Sequence, residues 1–143
     1  MSNGYLMGTY EHTIDAKGRM AFPTKLREQL SESFIVTIGL EGCLYVYSEE
    51  EWEIFAEKLK TLGGAKAKAA KKRFASSAVY VEADKQGRIL IPQNLREHAG
   101  LEHDVTVIGV INHAEIWDSE KWNRNSEEFT DEELEAALED IDI

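Results

Sequence analysis

Hydrophobic and polar positions along the chain follow two patterns, one typical of short strands and one typical of amphipathic helices. Residues 9–14 and 78–83 alternate between the two classes and are rich in Thr, Tyr, Val and Ile, which favours strands with one exposed face. Short apolar segments predict six further strands, at 20–22, 34–39, 44–47, 89–91, 105–110 and 114–117. The pattern therefore predicts eight short strands.

The order of these predicted elements repeats once along the chain. Residues 15–28 match residues 84–97 at a shift of 69, with seven of the fourteen positions identical. After a one-residue insertion the match continues at a shift of 70, which aligns Gly39 with Gly109. The sequence thus predicts two copies of one unit, at 8–52 and 77–122, and each copy is too small to bury a core alone.

A helical linker is predicted between the two units, over residues 53–76. Ser48 and Glu51 have the spacing of a capping box, and Gly63-Gly64 interrupts the helix that follows. The apolar stripe of that helix consists of Trp52, Phe55, Leu59 and Leu62. Residues 65–75 predict a second helix, and strands joined to helices in this way make the predicted fold class α+β.

An acidic C-terminal helix and tail are predicted over residues 123–143. Thr130 and Glu133 form a second capping box, ahead of an apolar stripe at Leu134, Ala137, Leu138 and Ile141. The sequence leaves two roles open for this segment, which are packing against a neighbouring subunit and discouraging non-specific contact with DNA.

Charge is distributed unevenly along the chain. The whole sequence carries a formal charge of −11, which taken alone argues against a nucleic-acid partner. Residues 118–143 account for −9 of this charge, so the remaining 117 residues carry only −2. The charge of the two repeated units therefore does not exclude DNA binding.

Composition narrows the classes of protein further. With 43% hydrophobic and 30% charged residues the chain is typical of a folded domain, and it has neither a long apolar segment nor a signal-peptide pattern, so a cytoplasmic protein is expected. Cys43 lies in an apolar segment typical of inert packing, and the four histidines show no triad or zinc spacing. The sequence therefore predicts neither an enzyme nor a metal or other cofactor, and Trp52 and Trp122 are interpreted as core or subunit-contact residues.

The most distinctive motif is an Asp-x-x-Gly-Arg turn that occurs once in each unit. Asp15 and Asp84 are able to bond backbone amides just ahead, and Gly18 and Gly87 accept positive φ, so each turn predicts a hairpin. The arginine after each glycine would then be able to reach a phosphate or a guanine edge in the major groove. The alternative is an ion pair with the aspartate of its own turn.

Five basic residues without an acidic neighbour mark the second linker helix, namely Lys66, Lys68, Lys71, Lys72 and Arg73. Such a helix is able to contact phosphates, although a solvated helix face is the commoner outcome. Both interpretations stay open.

Residues 10–19 and 39–44, together with Pro23, Leu26 and Arg27, resemble the first half of the MraZ family of bacterial transcriptional regulators. The second half is resembled by residues 84–92, 95–96, 99–101, 107–109 and 115–117, and the resemblance covers about 7–122. It implies two tandem SpoVT/AbrB-type repeats that form a pseudo-twofold, barrel-like core, with subunits assembled into a homo-oligomeric ring. It also implies sequence-specific binding to direct repeats upstream of the division and cell-wall gene cluster, generally as a nucleoid-associated repressor. No membrane and no small-molecule substrate are implied.

In that family the repeated Asp-x-x-x-Arg segments form the DNA-facing surface. Carried over to this sequence, the resemblance nominates as DNA-binding residues Lys17, Gly18, Arg19, Lys85, Gly87 and Arg88. Lys17 aligns with Gln86, so the first unit is expected to read DNA and the second mainly to support the ring.

The sequence leaves two further points open. Arg27 and Arg96 would either aid phosphate contact or pair with Glu28 or a neighbouring subunit. The alternative function is an oligomeric protein-interaction module of the same fold, of the antidote type, in which any DNA contact is secondary.

Overall fold

The computed structural model describes residues 4–141. Within this range the strands are β1 (Thr9–Thr13), β2 (Arg19–Ala21), β3 (Ser33–Ile38), β4 (Leu44–Ser48), β5 (Val79–Glu82), β6 (Arg88–Leu90), β7 (Asp104–Gly109) and β8 (Ala114–Asp118). The helices are α1 (Thr24–Arg27), α2 (Glu49–Thr61), α3 (Ala65–Ser77), α4 (Gln93–Ala99), α5 (Ser119–Glu127) and α6 (Asp131–Ala137). The predicted α+β class and the predicted strands are confirmed, with β2 and β6 beginning one residue earlier than expected.

The strands form one antiparallel sheet of six, in the order β1-β7-β8-β4-β3-β5, and a separate antiparallel ribbon of β2 and β6. The counterparts in the two units are β1 and β5, β2 and β6, β3 and β7, and β4 and β8. When each strand of the sheet is replaced by its counterpart and the order is read backwards, the strand order is unchanged. The two units are therefore related by a pseudo-twofold that passes between β4 and β8.

The two predicted hairpins at the Asp-x-x-Gly-Arg turns are wrong in one respect, because the strands on either side of each turn do not form a ladder with each other. β1 pairs with β7, β5 pairs with β3, and β2 pairs with β6, so each of these strands takes its partner from the other unit. A single bridge between Ile14 and Met20 is what joins β1 to β2. The exchange ties the two units into one body.

The core lies between the six-stranded sheet and the β2–β6 ribbon. The alternation of β2 and β6 places Met20 and Ile89 inward, each about 1% exposed, where they join sheet residues such as Val36, Val107 and Ile116 in one buried cluster. The ribbon contacts the edge strands β1 and β5. The core is thus covered by the ribbon on one side and by the six-stranded sheet on the other, and the described ladders form two separate sheets.

Strand pairing also corrects part of the alignment between the units. Val36 pairs with Val46 and Val107 pairs with Ile116, so β3 corresponds to β7 at a shift of 71 rather than 70. Gly39 therefore corresponds to Val110 and not to Gly109. The second unit has two extra residues near α4. Its β7–β8 loop is one residue shorter than the β3–β4 loop of the first unit, which contains a 3-10 turn at Leu40–Gly42.

The predicted caps set the helix boundaries. The Ser48 hydroxyl accepts from the Glu51 N–H at 3.1 Å, and the Thr130 hydroxyl accepts from the Glu133 N–H at 3.2 Å. Gly100 adopts the left-handed conformation that ends α4. The sequence prediction missed α5, although Asp118 caps it as Ser48 caps α2. None of the helices within 4–141 combines the length and apolar character needed to cross a membrane.

Candidate nucleic-acid interface

The first Asp-x-x-Gly-Arg turn is organised by the carboxylate of Asp15. Its Oδ1 accepts from the backbone N–H groups of Lys17 and Arg19, both at 2.9 Å, and its Oδ2 accepts from Arg19 Nε at 2.8 Å. The Gly18 N–H donates to the Asp15 carbonyl at 3.0 Å, which closes the turn. One carboxylate therefore fixes both the backbone of the turn and the direction of the Arg19 side chain.

The second turn repeats this geometry. Asp84 Oδ1 accepts from the N–H groups of Gln86 and Arg88 at 2.9 Å, and Asp84 Oδ2 accepts from Arg88 Nε at 3.1 Å. The side chains of both ion pairs are about two-fifths exposed. The ion pair between each arginine and the aspartate of its own turn, which the sequence left open, is therefore present in both units.

The same hydrogen bonds set the acidity of the two aspartates. The backbone N–H of Arg19 holds the pKa of the Asp15 carboxyl below its ordinary value, and the N–H of Arg88 does the same for the pKa of Asp84. The guanidinium groups lower both values further. Both carboxylates are consequently charged at neutral pH and hold their arginines by Nε.

An arginine held by Nε keeps its outer edge available. Within residues 4–141 the structure gives no hydrogen-bond partner to Nη1 or Nη2 of either Arg19 or Arg88. These terminal nitrogens form the fork that recognises a phosphate, or the O6 and N7 atoms of guanine. The local ion pair thus orients the arginine without occupying the atoms that would bind a ligand.

The β2–β6 ribbon brings the two arginines onto one face. Arg19 lies opposite Leu90, and Ala21 lies opposite Arg88, so these four residues share the outer face while Met20 and Ile89 face the core. Arg19 and Arg88 are diagonal neighbours, which in an antiparallel pair places the Cβ atoms about 7–8 Å apart. The two predicted sites, 69 residues apart in the sequence, form one surface.

Each turn glycine is buried against the other unit. A Cβ atom at Gly18 would lie 2.5 Å from the carbonyl oxygen of Ile91, and one at Gly87 would lie 3.0 Å from Arg27 Nη2. Both glycines have positive φ, of 92° and 80° respectively. Gly18 and Gly87 are both buried, and their positive φ shapes the turns beside the two arginines.

Arg27 and Arg96 lie against the turn glycines Gly87 and Gly18 respectively, and of the two only Arg96 donates a hydrogen bond to the opposite turn among the described residues. Arg96 Nε donates to the Ile91 carbonyl at 3.0 Å, and its Nη1 donates to the Ala16 carbonyl of the opposite turn at 3.3 Å. Arg27 donates to the Phe22 carbonyl at 3.3 Å and to the Thr24 hydroxyl at 3.2 Å. A pairing of Arg27 with Glu28 is not among the ion pairs of the described residues.

The predicted lysines lie on the exposed side of the turns. Lys17 and Lys85 are both exposed, at neighbouring but not equivalent positions, as the alignment of Lys17 with Gln86 indicates. A groove beside the ribbon is lined by both arginines together with acidic residues, including Glu11 and Asp104. In this groove the two arginines of the ribbon thus have acidic side chains beside them.

The Lys-rich helix α3 belongs to a different part of the surface. It packs on β3, where the Thr37 hydroxyl donates to the Phe74 carbonyl at 2.9 Å and lies 2.8 Å from the Ser77 hydroxyl. Its basic residues are exposed, apart from Lys71, which is half-buried and donates to the Lys60 carbonyl. Sequence reasoning did not find the Thr37–Ser77 contact that anchors this helix.

A half-buried polar cluster around Glu115 was also missed. Its carboxylate lies 2.9 Å from His113 Nε2 and accepts from Trp117 Nε1 at 2.9 Å, close to the buried Cys43. Cys43 is fully buried and packs with Ile108 and Trp117, as the sequence predicted, and burial raises the pKa of its thiol. In the part of the chain that is described, no group of three His, Cys, Asp or Glu residues is arranged to hold a metal ion.

Comparison with known proteins places this geometry in a family. The family model described as "MraZ protein, putative antitoxin-like" matches the chain twice, over residues 5–74 and 74–142. The chain belongs to the MraZ family. The two matches agree with the tandem units and with the pseudo-twofold of the fold, and the resemblance inferred from the sequence is confirmed.

Relatives named transcriptional regulator MraZ match over most of their length. That of Thermoanaerobacter sp. (strain X514) is 53% identical over 142 residues, covering 96% of this chain and 99% of its own. That of Lachnoclostridium phytofermentans is 53% identical over 127 residues, covering 88% and 90%. That of Clostridium botulinum (strain Alaska E43 / Type E3) is 50% identical over 132 residues, covering 91% and 93%. The match with these three relatives therefore extends over most of the length of both chains.

Proposed function

We propose that this protein is a sequence-specific DNA-binding transcriptional regulator, and that its DNA-facing surface is the outer face of the β2–β6 ribbon with its two turns. The observation that carries the proposal is that Arg19 and Arg88 lie on this one face, each oriented by an aspartate through Nε. The names of the MraZ relatives support the same class of function.

The dimensions of the ribbon suit the major groove of B-DNA. That groove is about 12 Å wide and admits a two-stranded ribbon, and a bidentate contact from arginine to guanine is its commonest specific contact. Two arginines at a diagonal separation of about 7–8 Å would reach bases roughly two steps apart, since base pairs are stacked about 3.4 Å apart. Lys17 and Lys85, on the flanking turns, would contact the phosphates.

The finer parts of the proposal concern assembly and target. Subunits form a homo-oligomeric ring that binds closely spaced direct repeats upstream of the division and cell-wall gene cluster, as a repressor in the cytoplasm and on the nucleoid. A ring suits the small size of the ribbon, because each subunit offers few base contacts and several subunits on one scaffold gain affinity through effective concentration. Isolated subunits would bind weakly.

Arg19→Ala and Arg88→Ala test the proposal, with Arg124→Ala as the matched control. Arg124 also forms an exposed i,i+4 ion pair, with Glu120 at 3.1 Å, but it lies on α5 and not on the ribbon. We expect each ribbon variant to lose about 10-fold or more in affinity for the DNA upstream of its own gene, and the control to lose none. Binding is measured at several salt concentrations, together with the oligomer mass.

The outcomes separate the two candidate functions. Affinities for the two ribbon variants equal to that of Arg124→Ala would exclude the ribbon as the DNA surface. If the wild-type oligomer binds no DNA from this region, the interaction-module hypothesis, which the antitoxin-like description of the family favours, takes its place. Comparing Arg19→Ala with Arg88→Ala also measures whether the first unit contributes more than the second, as the alignment of Lys17 with Gln86 predicts.

A further inference from the structure

The outer face of the ribbon carries one large apolar side chain, Leu90. It lies directly opposite Arg19 in the β2–β6 register, and it is 56% exposed. The inward residues Met20 and Ile89 already fill the core beneath it. Leu90 therefore adds nothing to the core, and its apolar surface is available to a ligand.

The pseudo-twofold makes this position distinctive. The counterpart of Leu90 at a shift of 69 is Ala21, which lies opposite Arg88 in the same register. The ribbon thus presents two nearly equivalent arginines, one with a leucine across from it and the other with an alanine. The two arginines match across the pseudo-twofold, but their apolar neighbours do not.

Directly opposed residues in an antiparallel pair have Cβ atoms about 4.5–5.5 Å apart. When Arg19 binds one chemical group of a ligand, the neighbouring group of that ligand would therefore be within reach of the Leu90 methyl groups. In the major groove the apolar group that a side chain meets at a base edge is the C5-methyl of thymine. An exposed leucine beside an oriented arginine matches a thymine beside a guanine.

We infer that Leu90 is a base-reading residue, which packs against the C5-methyl of a thymine next to the guanine bound by Arg19. This inference rests on the proposed function and specifies one element of the sequence that is read. It also explains how a pseudo-symmetric ribbon distinguishes its two orientations in the groove. Ala21 is too short to make the same contact, so only one orientation places a leucine on the thymine, which suits direct rather than inverted repeats.

The test replaces thymine by deoxyuridine, which removes only the C5-methyl. Each thymine of the bound DNA upstream of the gene is replaced in turn, and affinity is measured for the wild type, Leu90→Ala and the control Leu62→Ala. Leu62 is also a half-exposed leucine, at 49%, but it follows α2 and lies off the ribbon. The oligomer mass of each variant is measured by light scattering.

Replacing thymine by deoxyuridine at one position in each repeat should weaken wild-type binding about threefold to fivefold, which is the effect of one buried methyl group. Leu90→Ala should lose affinity on the thymine DNA by at least that factor, and should then be insensitive to deoxyuridine at the same position. Leu62→Ala should bind both DNAs as the wild type does.

Three results would overturn the inference. The first is wild-type binding that is unaffected by every replacement. The second is a Leu90→Ala variant whose loss of affinity, relative to the wild type on the same DNA, is equal on the thymine and the deoxyuridine DNA. The third is a change of oligomer mass in Leu90→Ala, which would make Leu90 a subunit contact. In the first two cases, the proposed function stands if Arg19→Ala still loses affinity for the DNA. Absence of any DNA binding by the wild type would instead refute the proposed function together with the inference.

Discussion

The backbone N–H of Ile91 donates to the carbonyl oxygen of Gly18 at 2.8 Å, across the boundary between the two units. The equivalent bond joins the N–H of Phe22 to the carbonyl oxygen of Gly87 at 3.0 Å. Each turn is therefore attached at its glycine to the strand end of the other unit. The surface that carries Arg19 and Arg88 is built jointly, and neither unit would form it alone.

Gly18→Ala should disrupt this junction. The new Cβ would lie 2.5 Å from the Ile91 carbonyl oxygen, at a φ of 92° that L-residues rarely adopt. Strain of this kind costs about 1–3 kcal/mol, so the free energy of unfolding in urea should fall by at least that amount. DNA affinity should fall with it, because the turn that orients Arg19 has to shift.

Gly63→Ala is the matched control, since a Cβ at Gly63 meets no atom within 4 Å. It should leave both the unfolding midpoint and DNA binding unchanged. A Gly18→Ala protein as stable as this control would contradict the interlocked geometry.

The sequence predicted the strands and turns of this fold, but it could not predict their partners. Alternation at 9–14 indicates a strand with one exposed face, and it carries no information about which strand lies beside it. Because β2 and β6 are equivalent by the repeat, pairing within a unit and pairing across units satisfy the same pattern. The exchange is decided by tertiary contacts such as Ile91 with Gly18, which no local signal encodes.

In the candidate site, too, the sequence predicts the local features but not the contacts between distant parts of the chain. Asp15, Gly18 and Arg19 are predictable from the chemistry of their turn, including the ion pair that the structure contains. That Arg19 and Arg88 share one face, or that Leu90 lies opposite Arg19, depends on the exchanged pairing and was not predictable. The role of Arg96 was missed for the same reason, since Ala16 lies 80 residues away in the sequence.

Arg96→Ala should destabilise the protein more than Arg27→Ala does. Arg96 supplies donors to the carbonyls of Ile91 and Ala16 and so joins the two units, whereas Arg27 bonds Phe22 and Thr24 of its own unit. Each variant leaves one partly buried carbonyl unsatisfied, that of Ile91 or that of Phe22, at a cost of about 1–3 kcal/mol. The extra loss in Arg96→Ala is the exposed bond to Ala16 across the two units, so the difference between the variants should be at the lower end of that range. Urea unfolding midpoints of the two variants check the order, and equal midpoints would show that the bond to Ala16 contributes nothing.

Acidification should weaken the turns only well below neutral pH. The pKa values of Asp15 and Asp84 are lower in the folded protein than in the unfolded chain, so their contribution to stability is present above the ordinary aspartate pKa of about 3.9. It is lost as the pH falls through the folded values. Carboxyl NMR titration should therefore give both aspartates a lower midpoint in the native protein than in urea.

The Arg19→Ala variant tests which group lowers the pKa of Asp15. The backbone N–H at position 19, the largest cause of the lowered pKa of Asp15, remains in the variant, so part of the lowering should persist. A midpoint that returns fully to the value in urea would show that the guanidinium, and not the backbone of the turn, holds the carboxylate.

Removal of residues 130–143 should increase binding to random-sequence DNA. This segment contains seven acidic residues and no Lys or Arg, so its loss makes the protein much less negative. The repulsion it exerts on phosphates is screened by salt, and the Debye length is about 10 Å at 0.1 M. The increase should therefore be severalfold at low salt and should disappear near 1 M.

Two substitution sets separate charge from packing in this segment. Glu132→Gln with Glu133→Gln and Glu135→Gln removes charge from α6 and should reproduce much of the increase. Leu134→Ser with Leu138→Ser removes two side chains that are 48% and 37% exposed in the subunit, and leaves the charge intact. A different result would be that the glutamine variant leaves DNA binding unchanged while the leucine variant reduces the oligomer mass. That result would show that α6 packs against a neighbouring subunit and that its acidity is incidental to DNA binding.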